Sequence, residues 1–217
     1  MLIFTSLLDI VFPRTCAICA QASSSFVCGR CAKLLPRPDR PIVASPEAPY
    51  SLLAVPLAYR NNVRRLIHTF KYGGRPKAAA WFALIIDDFL NEYAIMSTRS
   101  FDLVTSVPMH GAKRRMRGFD QAEILARAIA ARHQIPYVPL LTKTADLTSQ
   151  TAKDRDHRFH SAASVYMATD LQQCHEARIM LVDDVFTSGA TVSACAQALK
   201  DAGAADITVV AIAKGND

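Results

Sequence analysis

Short apolar runs alternate along this chain with longer stretches in which apolar residues recur every three or four positions. The runs at 52–57, 103–107, 178–182 and 207–213 predict strands, and the stretches at 62–70, 77–96, 121–133 and 190–202 predict helices. Ile179-Met180-Leu181-Val182 has no polar position, as suits a central parallel strand buried on both faces. The alternation indicates an α/β fold, a parallel sheet covered by helices. Such sheets bind ligands beyond the carboxyl ends of their strands, so the chemistry is expected after Val107 and Val182.

Before residue 50 the pattern differs. Leu7, Leu8 and Val11 share helical spacing in an apolar opening stretch, which predicts a short packing helix. That stretch contains Asp9 and has no basic lead, so it reads poorly as a signal peptide. No apolar run approaches the roughly 20 residues of a membrane span. A cytoplasmic location is therefore expected, where disulfides are rare. Cys16, Cys19, Cys28 and Cys31 form C-x2-C-x8-C-x2-C. Each pair can present two thiolates from one tight turn, and together they complete a closed tetrahedral zinc site with a structural role. One such pair alone could be redox-active, whereas two so close favour a metal. The spacing does not say whether this zinc knuckle touches DNA or only packs on the rest. Cys174 and Cys195 stand alone and read as buried thiols. Pro36, Pro38, Pro41, Pro46 and Pro49 exclude a helix or central strand. The expected division is 1–36 for the helix and knuckle, 37–50 for a connector, and 51–217 for the main domain.

The 217 residues are 51% hydrophobic, enough for a large core and too apolar for general disorder. The net charge of +6 is uneven. Residues 48–86 contain no acid, yet hold Arg60, Arg64, Arg65, Lys71, Arg75 and Lys77; a second cluster is Lys113, Arg114, Arg115 and Arg117. Such clusters attract the phosphates of nucleic acids or small substrates, or are simply a solvated basic face. Tyr59, Phe70 and Tyr72 could stack single-stranded bases, while Phe70 also fits a core position.

The most specific signal spans 179–191, where a buried strand leads to Asp183 and Asp184, then Thr187, Ser188, Gly189, Ala190 and Thr191 open a helix. Free backbone N–H groups, hydroxyls and the positive helix end make a phosphate site. The carboxylates suit paired ribose hydroxyls or a nearby Mg2+. No Gly-Lys-Ser/Thr follows, which excludes a Walker site. A capped turn with two solvated acids is the plainer alternative. This segment resembles the phosphoribosyl-pyrophosphate signature of type I phosphoribosyltransferases. The resemblance implies that Asp183 and Asp184 hold the ribose hydroxyls and that residues 187–191 wrap the 5′-phosphate.

The four-cysteine knuckle, Phe70-Lys71-Tyr72-Gly73, Val107-Pro108-Met109-His110 and Arg117-Gly118-Phe119-Asp120-Gln121-Ala122 together resemble the ComF family. Gln150, Arg158 and the aromatic Tyr166 extend the likeness. It implies a type I phosphoribosyltransferase fold with an N-terminal zinc knuckle. It further implies binding of phosphoribosyl pyrophosphate, or a related ribose phosphate, with Mg2+. The family is associated with natural competence and use of external DNA, so single-stranded DNA and a competence helicase or translocase are the implied partners. Pro108, Met109, His110, Lys113, Arg114, Arg115 and Arg117 would form the pyrophosphate loop, or 113–117 is a patch unrelated to the pocket. Lys71 and Tyr72 could reach an anionic ligand, or Lys71 merely ends its helix. Residues 142–160 read as a lid or as an exposed loop. Asp120, Ser161 and Tyr166 stand where the family usually has Asn, Asn and Phe. No acceptor motif or catalytic residue is legible, so a phosphoribosyl-transferring enzyme and a binding module both remain open. No cysteine opens the chain, so glutamine-dependent amidophosphoribosyl transfer is not expected.

Overall fold

The computed structural model describes residues 15–38, 40–73, 78–143 and 165–215. In it the apolar run 179–182 lies in β7 (Arg178–Phe186), inside a sheet ordered β1 (Ile42–Val43), β2 (Leu52–Ala54), β8 (Asp206–Lys214), β7 and β4 (Leu103–Ser106). A further short strand, β3 (Leu57–Ala58), pairs with the far end of β8. Within this sheet, among the described residues, only β1, inside the Pro-rich stretch and at the edge, runs antiparallel to its neighbour.

The period of two puts successive residues of the central strands on opposite faces. Met180, Val182, Val210 and Ile212 join a core with Phe70, Phe82, Leu125 and Ile129. Those partners belong to α2 (Asn61–Tyr72), α3 (Ala78–Glu92) and α6 (Gln121–His133). Ile179, Leu181, Ile207 and Val209 join a second core with Val192, Cys195 and Leu199 of α8 (Ala190–Asp201). Both faces are covered, as a parallel sheet requires. Cys174 and Cys195 are buried, as expected. Phe70 is fully buried, which leaves Tyr72 as the exposed aromatic of that stretch.

Three boundaries differ from the pattern. The run 52–57 divides into β2 and β3 around Pro56, which has no N–H to give the ladder. The long helix from 77 stops at Glu92, and Ala94 (φ 54°) starts a separate α4 (Ile95–Thr98). Strand β7 continues through the acid pair, because its register with β8 holds as far as Phe186 against Lys214.

The cysteine segment, with its short helix α1 (Gly29–Lys33), packs on the main body. Phe26 meets Trp81 and Phe82 at ring distances of 5.9 and 6.0 Å. Arg65 of α2 donates to the carbonyls of Ala17 and Ile18 at 3.0 and 2.9 Å. The expected helix near Leu7 lies outside the described residues.

Candidate functional site

Two tight turns bring the cysteines together. The Sγ of Cys16 accepts the backbone N–H of Ile18 and of Cys28, each at 3.4 Å, and α1 starts directly after Cys28 and carries Cys31. All four sulfurs lie within 4.8 Å of one another, with Cys19 and Cys28 3.9 Å apart. A zinc ion with four thiolates at about 2.3 Å would space them by about 3.8 Å, so the cluster has the donors and the size for a metal such as zinc. Burial pushes the Cys16 thiol up, but the N–H groups of Cys19, Cys28 and Ile18 outweigh it and hold it down at about 6. Burial, then the neighbouring thiols, push Cys31 up to about 12.

The second site is a cavity of about 280 Å3 at the carboxyl ends of β4 and β7. Strand β7 supplies Asp183 and Asp184, and the first turn of α8 supplies Thr191. The segment after β4 supplies Pro108, Met109 and His110; Lys113 and Arg117 follow from α5 (Gly111–Arg117). Lys71 reaches in from the last turn of α2. Lys143 and Tyr166 come from β5 (Leu141–Lys143) and β6 (Tyr166–Ala168), an antiparallel pair. A last short helix, α7 (Leu171–Cys174), follows.

The polar contacts inside the cavity are specific. Lys71 Nζ donates to Asp184 Oδ1 at 2.7 Å, and the backbone N–H of Asp184 donates to Asp183 Oδ1 at 2.7 Å. Burial, then the adjacent Asp184 charge, push the Asp183 carboxyl up to about 7. Asp120 caps α6 with one oxygen on the Glu123 N–H, while its other oxygen takes the Met109 N–H, both at 3.1 Å. The two carboxylate oxygens of Asp120 together tie the Met109 backbone to the start of α6. Burial raises the Asp120 carboxyl. Gln121 accepts from Arg117 Nη1 at 2.8 Å and donates to the Lys71 carbonyl at 3.4 Å.

The remaining expected residues sit elsewhere. Thr187, Ser188 and Ala190 are exposed and outside the cavity lining, and Gly189 turns the chain into α8 with φ 76°. A Cβ on Gly189 would stand 2.7 Å from Phe186 Cζ. Residues 111–117 form a helix rather than a loop, capped by His110, whose Nδ1 accepts the Ala112 N–H at 3.1 Å. Arg114 turns to Glu123 at 3.1 Å, and Arg115 is exposed. Tyr72 accepts from Arg117 Nη2 at 2.8 Å, with that guanidinium 4.7 Å from its ring centre. Gln150, Arg158, Ser161 and most of the 142–160 segment lie outside the described residues. Lys143 was not legible as a site residue, since nothing marks it except a cation ahead of a polar stretch. The bridging role of Asp120 was legible in part, because Asp120 and Glu123 have capping-box spacing.

No family model matches the chain. The DNA utilization protein YhgH of Salmonella typhimurium is 26% identical over 203 residues, covering 89% of this chain and 87% of the relative. The competence protein ComFC of Streptococcus pneumoniae is 24% identical over 156 residues, 72% of this chain and 65% of the relative. Among solved structures, the glutamine phosphoribosylpyrophosphate amidotransferase from B. subtilis aligns with a TM-score of 0.41 and 21% identity. That alignment covers 63% of this chain and 26% of the enzyme. Relatives with competence and DNA-utilisation names along most of the chain bear out its resemblance to the ComF family.

Proposed function

We propose that the cavity binds phosphoribosyl pyrophosphate, or a related ribose 5-phosphate, together with Mg2+, and that the protein acts in DNA uptake or handling. The observation that carries this reading is the convergence, on one cavity, of the acid pair, the start of α8 and the cationic residues of 110–117. Asp183 and Asp184 accept the ribose hydroxyls, and Thr191, in the first turn of α8, takes the 5′-phosphate through its N–H and hydroxyl. Lys113 and Arg117, with His110 beside them, face the pyrophosphate. The oxygen donors of Asp183 and Asp184 also fit a hard cation such as Mg2+, which would neutralise charge between ribose and pyrophosphate. Structural zinc occupies the cysteine cluster. The names of the relatives support a role in DNA uptake or handling. The partners in that role are single-stranded DNA and a competence helicase or translocase, in the cytoplasm. Among the described residues no helix is long and apolar enough to cross a membrane.

A second reading is an active transferase moving the phosphoribosyl group to an acceptor. It is favoured by the placement of Lys113 and Arg117 where they would stabilise a departing pyrophosphate. Calorimetric titration of phosphoribosyl pyrophosphate with Mg2+ into zinc-loaded protein tests the pocket. Micromolar binding is expected, weakened about 100-fold or more in Asp183→Asn/Asp184→Asn, on the scale of losing paired charged hydrogen bonds. Undiminished binding in that variant would remove the assignment. For the DNA part, affinity for a single-stranded oligonucleotide must fall steeply with salt.

A further inference from the structure

We infer that Lys71 is the resident counter-ion of the acid pair. It bars free divalent cations from the cavity until the phosphates of a ligand draw its ammonium away. The inference rests on the ribose phosphate reading for the identity of that ligand, and on the following geometry for the role of Lys71.

Of the three carboxylates lining the cavity, Asp120 is committed to two backbone N–H groups and Asp183 accepts the N–H of Asp184. Among the described residues, Asp184 is the one that meets a side-chain cation, Lys71 Nζ at 2.7 Å, with both side chains largely sheltered from water. An ammonium at that distance from a carboxylate occupies the position a metal ion would need, and its charge repels a second cation. Lys113, Arg117 and Lys143 line the same space and add to that repulsion, so the cavity without a ligand is set for anions.

The tether explains how the block can be lifted. The backbone of Lys71 is held through its carbonyl by the buried Gln121, which also holds Arg117. The four-carbon stem above it keeps its rotatable bonds, so the ammonium can leave Asp184 while the helix stays in place. A pyrophosphate bound near Lys113 and Arg117 offers Lys71 more negative charge than a single carboxylate does. The ammonium then transfers to the phosphates, and Asp184 becomes available to ribose hydroxyls or to a cation arriving with the ligand. Lys71 thereby sets the order of events: polyanion first, or polyanion and cation together, never the cation alone.

The test measures Mn2+ binding by electron paramagnetic resonance in zinc-loaded protein without any phosphorylated ligand. Wild type should bind Mn2+ weakly, and Lys71→Met should gain a site roughly tenfold tighter or more, the effect of losing one nearby like charge. Lys71→Arg keeps the charge and should behave as wild type, and the gain should vanish in Lys71→Met/Asp184→Asn. Equal Mn2+ affinity in wild type and Lys71→Met, or a gain that survives Asp184→Asn, would overturn the inference. Thermal melts of the same variants identify any that fail to fold, and in that case Lys71→Gln replaces Lys71→Met. The parent reading fails separately: no heat from phosphoribosyl pyrophosphate with Mg2+ in wild type removes the ligand, while the Mn2+ comparison still decides on Lys71.

Discussion

The cysteine cluster and the cavity are both small polar sites, yet they are assembled in opposite ways. The cluster draws its four sulfurs from within sixteen residues, and two local turns set their spacing. The cavity draws Lys71, Lys113, Lys143, Asp184 and Thr191 from separate elements spread over some 120 positions of the chain. A metal held by so local a site would supply much of its stability, because so short a segment buries little of its own. An assembled site depends on the sheet and helices that carry it, and it can hold buried charge that the rest of the fold tolerates.

Metal removal is the strongest way to break this contrast. Chelation should release the cysteine segment, costing several kcal/mol and lowering Tm by about 10 °C or more. Trp81, the single tryptophan, is buried against Phe26, so its emission should move to longer wavelength in the same titration. An unchanged melt and an unchanged spectrum would mean that the segment holds itself together without metal.

A second comparison sharpens the cavity side. Asp183 is raised from 3.8 to about 7, so the folded protein holds a proton that the unfolded chain has already released. Its contribution to stability is therefore present below pH 4 and lost as the pH rises through 7. Asp183→Asn should stabilise the ligand-free protein at pH 8 by about 1–3 kcal/mol and by almost nothing at pH 4. Denaturant melts at the two pH values check it, and parallel profiles for the two proteins would count against a half-buried, destabilising charge.

The smallest effect concerns the turn into α8. Gly189→Ala puts a side chain at φ 76° and a Cβ 2.7 Å from Phe186 Cζ. A loss of about 1–2 kcal/mol is expected in a denaturant melt, with Phe186 moving to relieve the clash. An unchanged midpoint would show that the turn relaxes freely.

Legibility in the sequence followed the same division. The cysteine spacing, the apolar run 179–182 and the acid pair were readable because each is a local pattern. The convergence of Asp184 with residues after Val107 was readable too, because parallel sheets place their chemistry at one end. Lys143 and Tyr166 escaped as partners because β5 and β6 are three residues each and carry no periodic signal. The end of β7 was set short at Val182 because acids look like a strand terminus, whereas pairing with β8 carries the strand four residues further. The Lys71–Asp184 contact crosses 113 positions, and no spacing rule reaches so far.

Helix α2 belongs to both sites at once. Arg65 grips the carbonyls of Ala17 and Ile18, and Lys71, six residues on, meets Asp184. At a rise of 1.5 Å per residue those two contacts are about 9 Å apart along one stiff rod. The cysteine segment thus anchors the helix that carries Lys71, and the height at which Lys71 enters the cavity is set from the neighbouring turns of α2.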